Sequence, residues 1–337
     1  MRRVSSASVT PRLLSVSRRT DIPACYGDWF MRRVAEGFAG WEHPFNGRPT
    51  RVSLRQPDVW CFAFWSKNFR PFLPHLRALQ ANGYPCFFNY TITGLPTAFE
   101  THVPPAEDAL DSLREIAARF SPDHVHWRYD PIVLSDLTPP AWHRARFAEL
   151  AAALRGHVRR CIVSFVARYP KVARNLATFE RASGVRVHDP DAAARRALAL
   201  DLAAIATAHG MTLHACCNPE VVDGPVLPAA CLDAAAIARL YPAGAAWRPA
   251  PAATRPGCGC AACTDIGRYD TCPHGCVYCY ANADKTRADT RHRLHDPASA
   301  FLGRTHEQSQ RLLADTGSGR HAGLVDPPGR LEAHRVL

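Results

Sequence analysis

Six short apolar runs recur along the first two thirds of the chain, at 12–17, 59–65, 85–91, 124–129, 160–167 and 211–216. Each is short enough to be a buried strand. Between them the apolar residues change period. Leu110, Leu113, Ile116, Ala117 and Phe120 recur at spacings of three and four and predict a helix over 105–120. Helices are also predicted over 28–38, after Asn68 with Phe72, Leu76 and Leu79 on one face, and over 140–155. A further one covers 191–209, with Leu198, Leu202 and Ile205 inward and Gly210 as its stop. Strand and helix alternate about six times, which predicts βαβ units and a parallel sheet. Crossovers of one hand curl such a sheet. The predicted class is α/β: a partial (β/α)6 TIM-barrel-like parallel sheet with a C-terminal cysteine-rich cap. A doubly wound open sheet fits the alternation nearly as well. The barrel-like domain takes 1–250 and ends in an alanine- and proline-rich linker at 242–256. A cysteine-rich segment follows over 251–303, and 304–337 reads as a flexible tail with at most one short helix.

Polar residues gather where the predicted strands end: Arg18, Arg19 and Asp21; Lys67 and Asn68; Asn89 and Thr91; Arg128 and Asp130; Asn218 and Glu220. Active sites of parallel α/β folds lie at that edge. His124, His126, Arg128 and Asp130 alternate along one strand and so share a face. They form either a polar pocket wall or a hydrogen-bonded interior, and the two histidines fit the interior.

Composition narrows the setting. The chain has 337 residues, enough for one large core, and no apolar run near the ~20 residues that span a bilayer. The first ten residues lack the apolar stretch of a secretory signal, so a cytoplasmic protein without a membrane partner is expected. The formal net charge of +11 raises nucleic acid as a partner. The arginines are scattered, however, and Lys67, Lys171 and Lys285 are the only lysines, which reads as a compositional habit. Nucleic acid is therefore not favoured. Of thirteen cysteines, seven lie between Cys231 and Cys279. In a large chain without an export signal that points to metal thiolates rather than disulfides. Cys25, Cys61, Cys86 and Cys161 stand alone and read as small buried hydrophobes.

The densest chemistry is Cys272-Pro273-His274-Gly275-Cys276-Val277-Tyr278-Cys279-Tyr280. Three thiolates at C-x₃-C-x₂-C spacing can close around one metal centre, with Gly275 permitting the tight turn. On a four-iron cluster, three protein ligands leave one iron open to a small molecule. A zinc site completed by His274 or Cys263, and a plain redox cluster, are the alternatives.

The spacing and the aromatic before the third cysteine resemble the radical S-adenosylmethionine (radical SAM) superfamily. The resemblance implies a [4Fe-4S] cluster on Cys272, Cys276 and Cys279, with S-adenosylmethionine on the open iron. It also implies a reductant such as flavodoxin or ferredoxin, and a 5′-deoxyadenosyl radical that acts on an unknown substrate. It places Tyr278 over the cluster or the adenine. The loop stands late in the chain, as in a circular permutation, and requires a strand just before it, around 265–270. No Gly-Gly-Glu stretch is present to hold the S-adenosylmethionine amino group, and Asn89, Thr91 and Arg128 are the candidates for that work. Cys258-Gly259-Cys260, Asp265-Ile266-Gly267 and Tyr280-Ala281-Asn282 make the chain, over 15–303, similar to a bacterial family known only as a domain of unknown function.

Cys258 and Cys260 form a close pair. With Cys231 and either Cys216 or Cys217 they complete a four-cysteine set, expected to hold a second iron–sulfur cluster, with zinc as the alternative. Cys263 is a spare. Two rival readings remain: a nucleic-acid-directed radical SAM lyase, and a non-enzymatic zinc-binding module. The P-loop, the dinucleotide glycine fingerprint, G-x-S-x-G and H-E-x-x-H are all absent.

Overall fold

The computed structural model describes residues 10–44 and 46–317. The segment expected to lack a signal, and the tail beyond 317, lie in whole or in large part outside those residues. The six predicted runs are β1 (Arg12–Val16), β4 (Val59–Ser66), β5 (Cys86–Thr91), β6 (Val125–Ile132), β7 (Arg160–Phe165) and β8 (Thr212–Ala215). Sequence reasoning missed β2 (Phe38–Glu42) and β3 (Pro49–Ser53), an antiparallel pair of their own. It also missed β9 (Val226–Pro228), and β10 (Thr264–Asp265) is all that forms of the strand expected around 265–270.

Among the described residues the main sheet has eight strands in the order β10-β1-β4-β5-β6-β7-β8-β9, every neighbouring pair parallel. From β1 to β8 the spatial order follows the chain without reversal. A doubly wound sheet needs a reversal, so that alternative falls. Of the predicted partial (β/α)6 arrangement, the parallel sheet flanked by helices is present with its six strands in chain order; the described residues add two short edge strands and form no closed barrel. Those edges are β9 and β10, of three and two residues, too short to show a period in sequence.

Both faces of this sheet are covered, which is why its strands read as near-continuous apolar runs. One face turns Leu14, Phe62, Phe64, Phe88, Trp127, Tyr129 and Val163 toward Phe30, Leu76, Leu113, Ile116, Phe147, Leu150 and Leu202 of the helices. The opposite face presents Leu13, Cys61, Ala63, Phe87 and Ile162. It is covered by the chain after β9, through Ala229, Cys231, Leu232, Ile237, Cys260 and Ala261. The expected linker takes part: Pro242–Trp247 is a short 3₁₀ helix, and Trp60 Nε1 donates to the Gly244 carbonyl at 2.7 Å. The tail begins with a helix over His306–Gly317. Among the described residues no helix is long and apolar enough to cross a membrane.

One buried group makes stability depend on pH. His143 lies on the helix Pro140–Ala153 and is fully buried. Its Nε2 donates to the Val133 carbonyl at 3.0 Å, and its Nδ1 accepts from the Tyr129 hydroxyl at 2.7 Å. Burial lowers its pKa from 6.5 to about 4. Between those values the unfolded chain holds the extra proton, so stability is present above about 6.5 and drains as pH falls toward 4. The full loss is on the order of 3 kcal/mol. Urea midpoints at pH 7 and pH 5 should therefore separate more in the wild type than in His143→Gln; equal separations would contradict this.

Candidate functional site

Asp265 ends β10 beside Ser15 of β1 and is buried. Its carboxylate accepts from Ser15 Oγ at 2.7 Å, Ser17 Oγ at 2.6 Å, the Arg18 amide at 2.8 Å and the Gly267 amide at 3.0 Å. Burial opposes its charge, but Arg19, Arg18 and these hydrogen bonds outweigh that and hold its pKa below the usual carboxylate value. A Cβ at position 267 would collide with Ser17. Asp265-Ile266-Gly267 is thus the clasp that fixes β10 to β1 and launches the cysteine loop from a strand's carboxyl end.

The loop is pinned against the ends of β1, β4 and β5. His274 Nε2 donates to Asp21 Oδ2 at 2.8 Å, and the same carboxylate accepts from Ser66 Oγ at 2.7 Å and the Lys67 amide at 2.8 Å. The Val277 amide donates to the Phe99 carbonyl at 3.0 Å, and the His102 amide to the His274 carbonyl at 3.0 Å. Tyr280 Oη donates to the Arg18 carbonyl at 2.7 Å, and Asn282 Nδ2 to the Cys272 carbonyl at 2.6 Å. Gly275, at φ +70°, turns the loop where a Cβ would lie 3.2 Å from that of Thr101.

Cys276 is buried, and Cys272 and Cys279 are partly so. Burial pushes the Cys276 thiol up to about 12 against the pull of Lys67, and pushes Cys272 and Cys279 up too. Metal binding to these thiols would therefore release protons. The chain's three lysines converge here. Lys67 acts on Cys276, Lys171 on Cys279, and Lys285 on both. Burial lowers the pKa of Lys171 and Lys285, while Lys67 is raised because Glu100 and Cys276 outweigh its burial. Lys67 Nζ donates to Glu100 Oε1 at 2.8 Å. Sequence reasoning missed Glu100 and placed no lysine at this loop. The available signal was three lysines kept in a chain that otherwise uses arginine.

The bond from His274 to Asp21 commits one ring nitrogen, and the other lies 3.4 Å from the His102 carbonyl, so this histidine anchors the loop. Tyr278, expected over a cluster or adenine, turns its hydroxyl to Glu100 and packs with Leu95, Phe99 and Val133. Cys25, expected as an isolated hydrophobe, is close enough to Cys272 to raise its pKa. Asn89 is fully buried with neither amide atom bonded. Beside it in register stand Trp65 and His126, whose Nε1 and Nδ1 also lack partners. Thr91, partly buried, pairs in register with Arg128. Arg128 is committed to Asp130 and to Cys231 Sγ, the latter at 2.7 Å.

The second cysteine set is assembled by the fold. Cys216 Sγ lies 3.7 Å from Cys217 Sγ and 3.6 Å from Cys231 Sγ. Cys260 is buried in the same cluster as Cys216 and Cys231, and Cys217 and Cys258 pack against it. Cys263 packs against the same cluster and receives a hydrogen bond from Arg18 Nη2 at 3.3 Å. Among the described residues no three Cys, His, Asp or Glu side chains are arranged to hold a metal ion as they stand. Next to this set, at the ends of β7 and β8, is a cavity of about 170 Å³ whose lining includes Arg168, Asp189, Arg195, Cys217, Asn218 and Arg255.

The model of a family described as "Domain of unknown function (DUF1848)" matches residues 13–281. No curated protein and no solved structure matches the chain.

Proposed function

The chain belongs to the DUF1848 family, and from its loop geometry we propose that it is a radical SAM-type iron–sulfur enzyme. One observation carries this reading: a C-x₃-C-x₂-C loop leaves the carboxyl end of a parallel strand while the histidine inside it is tied to Asp21. That leaves three loop sulfurs as ligands. The donor set suits iron–sulfur, since thiolate is a soft ligand and the Ala281 amide already donates to Cys279 Sγ at 3.3 Å. Cys272, Cys276 and Cys279 would hold a [4Fe-4S] cluster, which when bound would supply the electron for reductive cleavage of S-adenosylmethionine.

The chain's own residues do the rest. Lys67, Lys171 and Lys285 offset the negative charge that thiolates and sulfides bring into a buried loop. Glu100 holds Lys67 and Tyr278 together beneath it. The unbonded amide of Asn89 has free capacity for a ligand. The cavity beyond β7 and β8 is polar, with Arg168 and Arg195 paired to Asp189 in its wall, and is a place for a polar substrate. A reductant such as flavodoxin or ferredoxin is the expected electron donor. Anaerobically reconstituted protein with dithionite and S-adenosylmethionine should release 5′-deoxyadenosine; iron-loaded protein that forms none would contradict this reading.

A further inference from the structure

The five sulfurs under the sheet's open side carry an inference beyond that reading. We propose that Cys216, Cys217, Cys231, Cys258 and Cys260 bind a single zinc ion that ties the two edges of the sheet together. Cys216 Sγ lies 3.6 Å from Cys231 Sγ and 3.7 Å from Cys217 Sγ, Cys260 is buried in the same cluster, and Cys217 and Cys258 pack against it, with no disulfide among the five. Five thiols gain little by touching, and five thiolates would repel, so the grouping makes sense around a cation.

The spacing selects the kind of centre. Sulfurs about 2.3 Å from one tetrahedral ion stand about 3.8 Å apart, close to the 3.6 and 3.7 Å seen here. Around a four-iron cluster each thiolate holds its own iron, and the sulfurs are spread by the width of the cube and two iron–sulfur bonds. Four sulfurs suffice, and Cys217, which lines the cavity, is the exchangeable fifth.

The backbone is shaped for this grouping. Neighbouring residues on an extended chain point oppositely, yet Cys216 and Cys217 point together because Cys217 adopts φ +56°, a costly conformation for a residue with a side chain. Gly257, at φ +73°, passes where a Cβ would be 3.3 Å from Cys217 Cα, and at Gly259 a Cβ would be 3.0 Å from the Ala229 carbonyl oxygen. These two glycines let Cys258 and Cys260 reach the ends of β8 and β9. Donors surround the sulfurs as they do metal-bound thiolates: Arg128 Nη1 to Cys231 at 2.7 Å, the Leu232 amide to Cys260 at 3.5 Å, Thr254 Oγ1 to Cys258 at 3.5 Å and Arg255 Nη2 to Cys216 at 3.9 Å. Each thiol that ligates gives up its proton, and the two guanidiniums offset the resulting charge. The ion would join the chain after β9 to the chain before β10, the gap across which the sheet does not close.

The test is metal content by mass spectrometry on anaerobically purified full-length protein. One zinc per chain is expected in the wild type and in a Cys272→Ala/Cys276→Ala/Cys279→Ala variant that has lost its iron. Cys258→Ser/Cys260→Ser should lose zinc while keeping iron. Should that variant fail to fold, wild type grown on cobalt should show thiolate-to-cobalt charge transfer and tetrahedral ligand-field bands. Iron in place of zinc that is lost with Cys258→Ser/Cys260→Ser, or five free thiols with no metal, would overturn the proposal. Neither result bears on the loop at Cys272, whose failure would show instead as absent 5′-deoxyadenosine with zinc retained.

Discussion

Cys276→Ala is expected to reduce 5′-deoxyadenosine formation to background, a loss of at least ~10³-fold, or about 4 kcal/mol of transition-state stabilisation. Cys276 is the buried member of the three and the one that Lys67 acts on. Two thiolates from one short loop do not retain a four-iron cluster against solvent. The fold should survive, because the loop is held by bonds that do not involve this sulfur: His274 to Asp21, Tyr280 to Arg18, and Asn282 to the Cys272 carbonyl. Circular dichroism should be unchanged while the visible iron–sulfur absorbance is lost. A brown, active Cys276→Ala protein would remove the loop from the chemistry.

Asp21→Ala is expected to cost about 3–5 kcal/mol of stability and to lower iron retention, although Asp21 is no ligand. Its two oxygens accept from Ser66 Oγ, the Ala24 amide, the Lys67 amide and His274 Nε2, between 2.7 and 3.0 Å. The carboxylate is buried, and so are Ser66 and His274. Removing it leaves several buried donors unpaired and frees the cysteine loop from the ends of β1 and β4. Asp21→Asn keeps one acceptor oxygen but faces some of the same donors with an amide N–H, so it should fall between. Thermal melting together with the iron-to-protein ratio measures both effects. A melting temperature within a degree or two of wild type would show that the loop is held by other means.

The central sheet was legible because each strand is buried on both faces and so writes an uninterrupted apolar run, as Val59–Ser66 does with Trp60, Phe62 and Phe64. Its edges were not. Val226–Pro228 and Thr264–Asp265 are set by pairing with neighbours already in place, and two or three residues carry no period. Local alternation fixes strand order but not what covers the face away from the helices. There the chain lays Cys231, Cys260 and Ala261 across the sheet.

At the loop, the cysteines and Gly275 were readable from spacing alone. Asp21 and Glu100 were not assigned to it, because 253 residues separate Asp21 from His274 and 178 separate Glu100 from Tyr278. The grouping of Cys216 and Cys217 together, rather than one or the other, depends on the positive φ of Cys217. No pattern of apolar positions encodes that.

The proposed open iron site is tested most directly by electron paramagnetic resonance of the dithionite-reduced protein, recorded with and without S-adenosylmethionine. With Cys272, Cys276 and Cys279 as the only protein ligands, the cofactor should shift the g-values of the reduced cluster, and Cys25→Ser should show the same shift. A wild-type spectrum indifferent to S-adenosylmethionine that begins to respond only in Cys25→Ser would mean that a fourth sulfur, beside Cys272, closes the cluster, and the proposed chemistry would be contradicted.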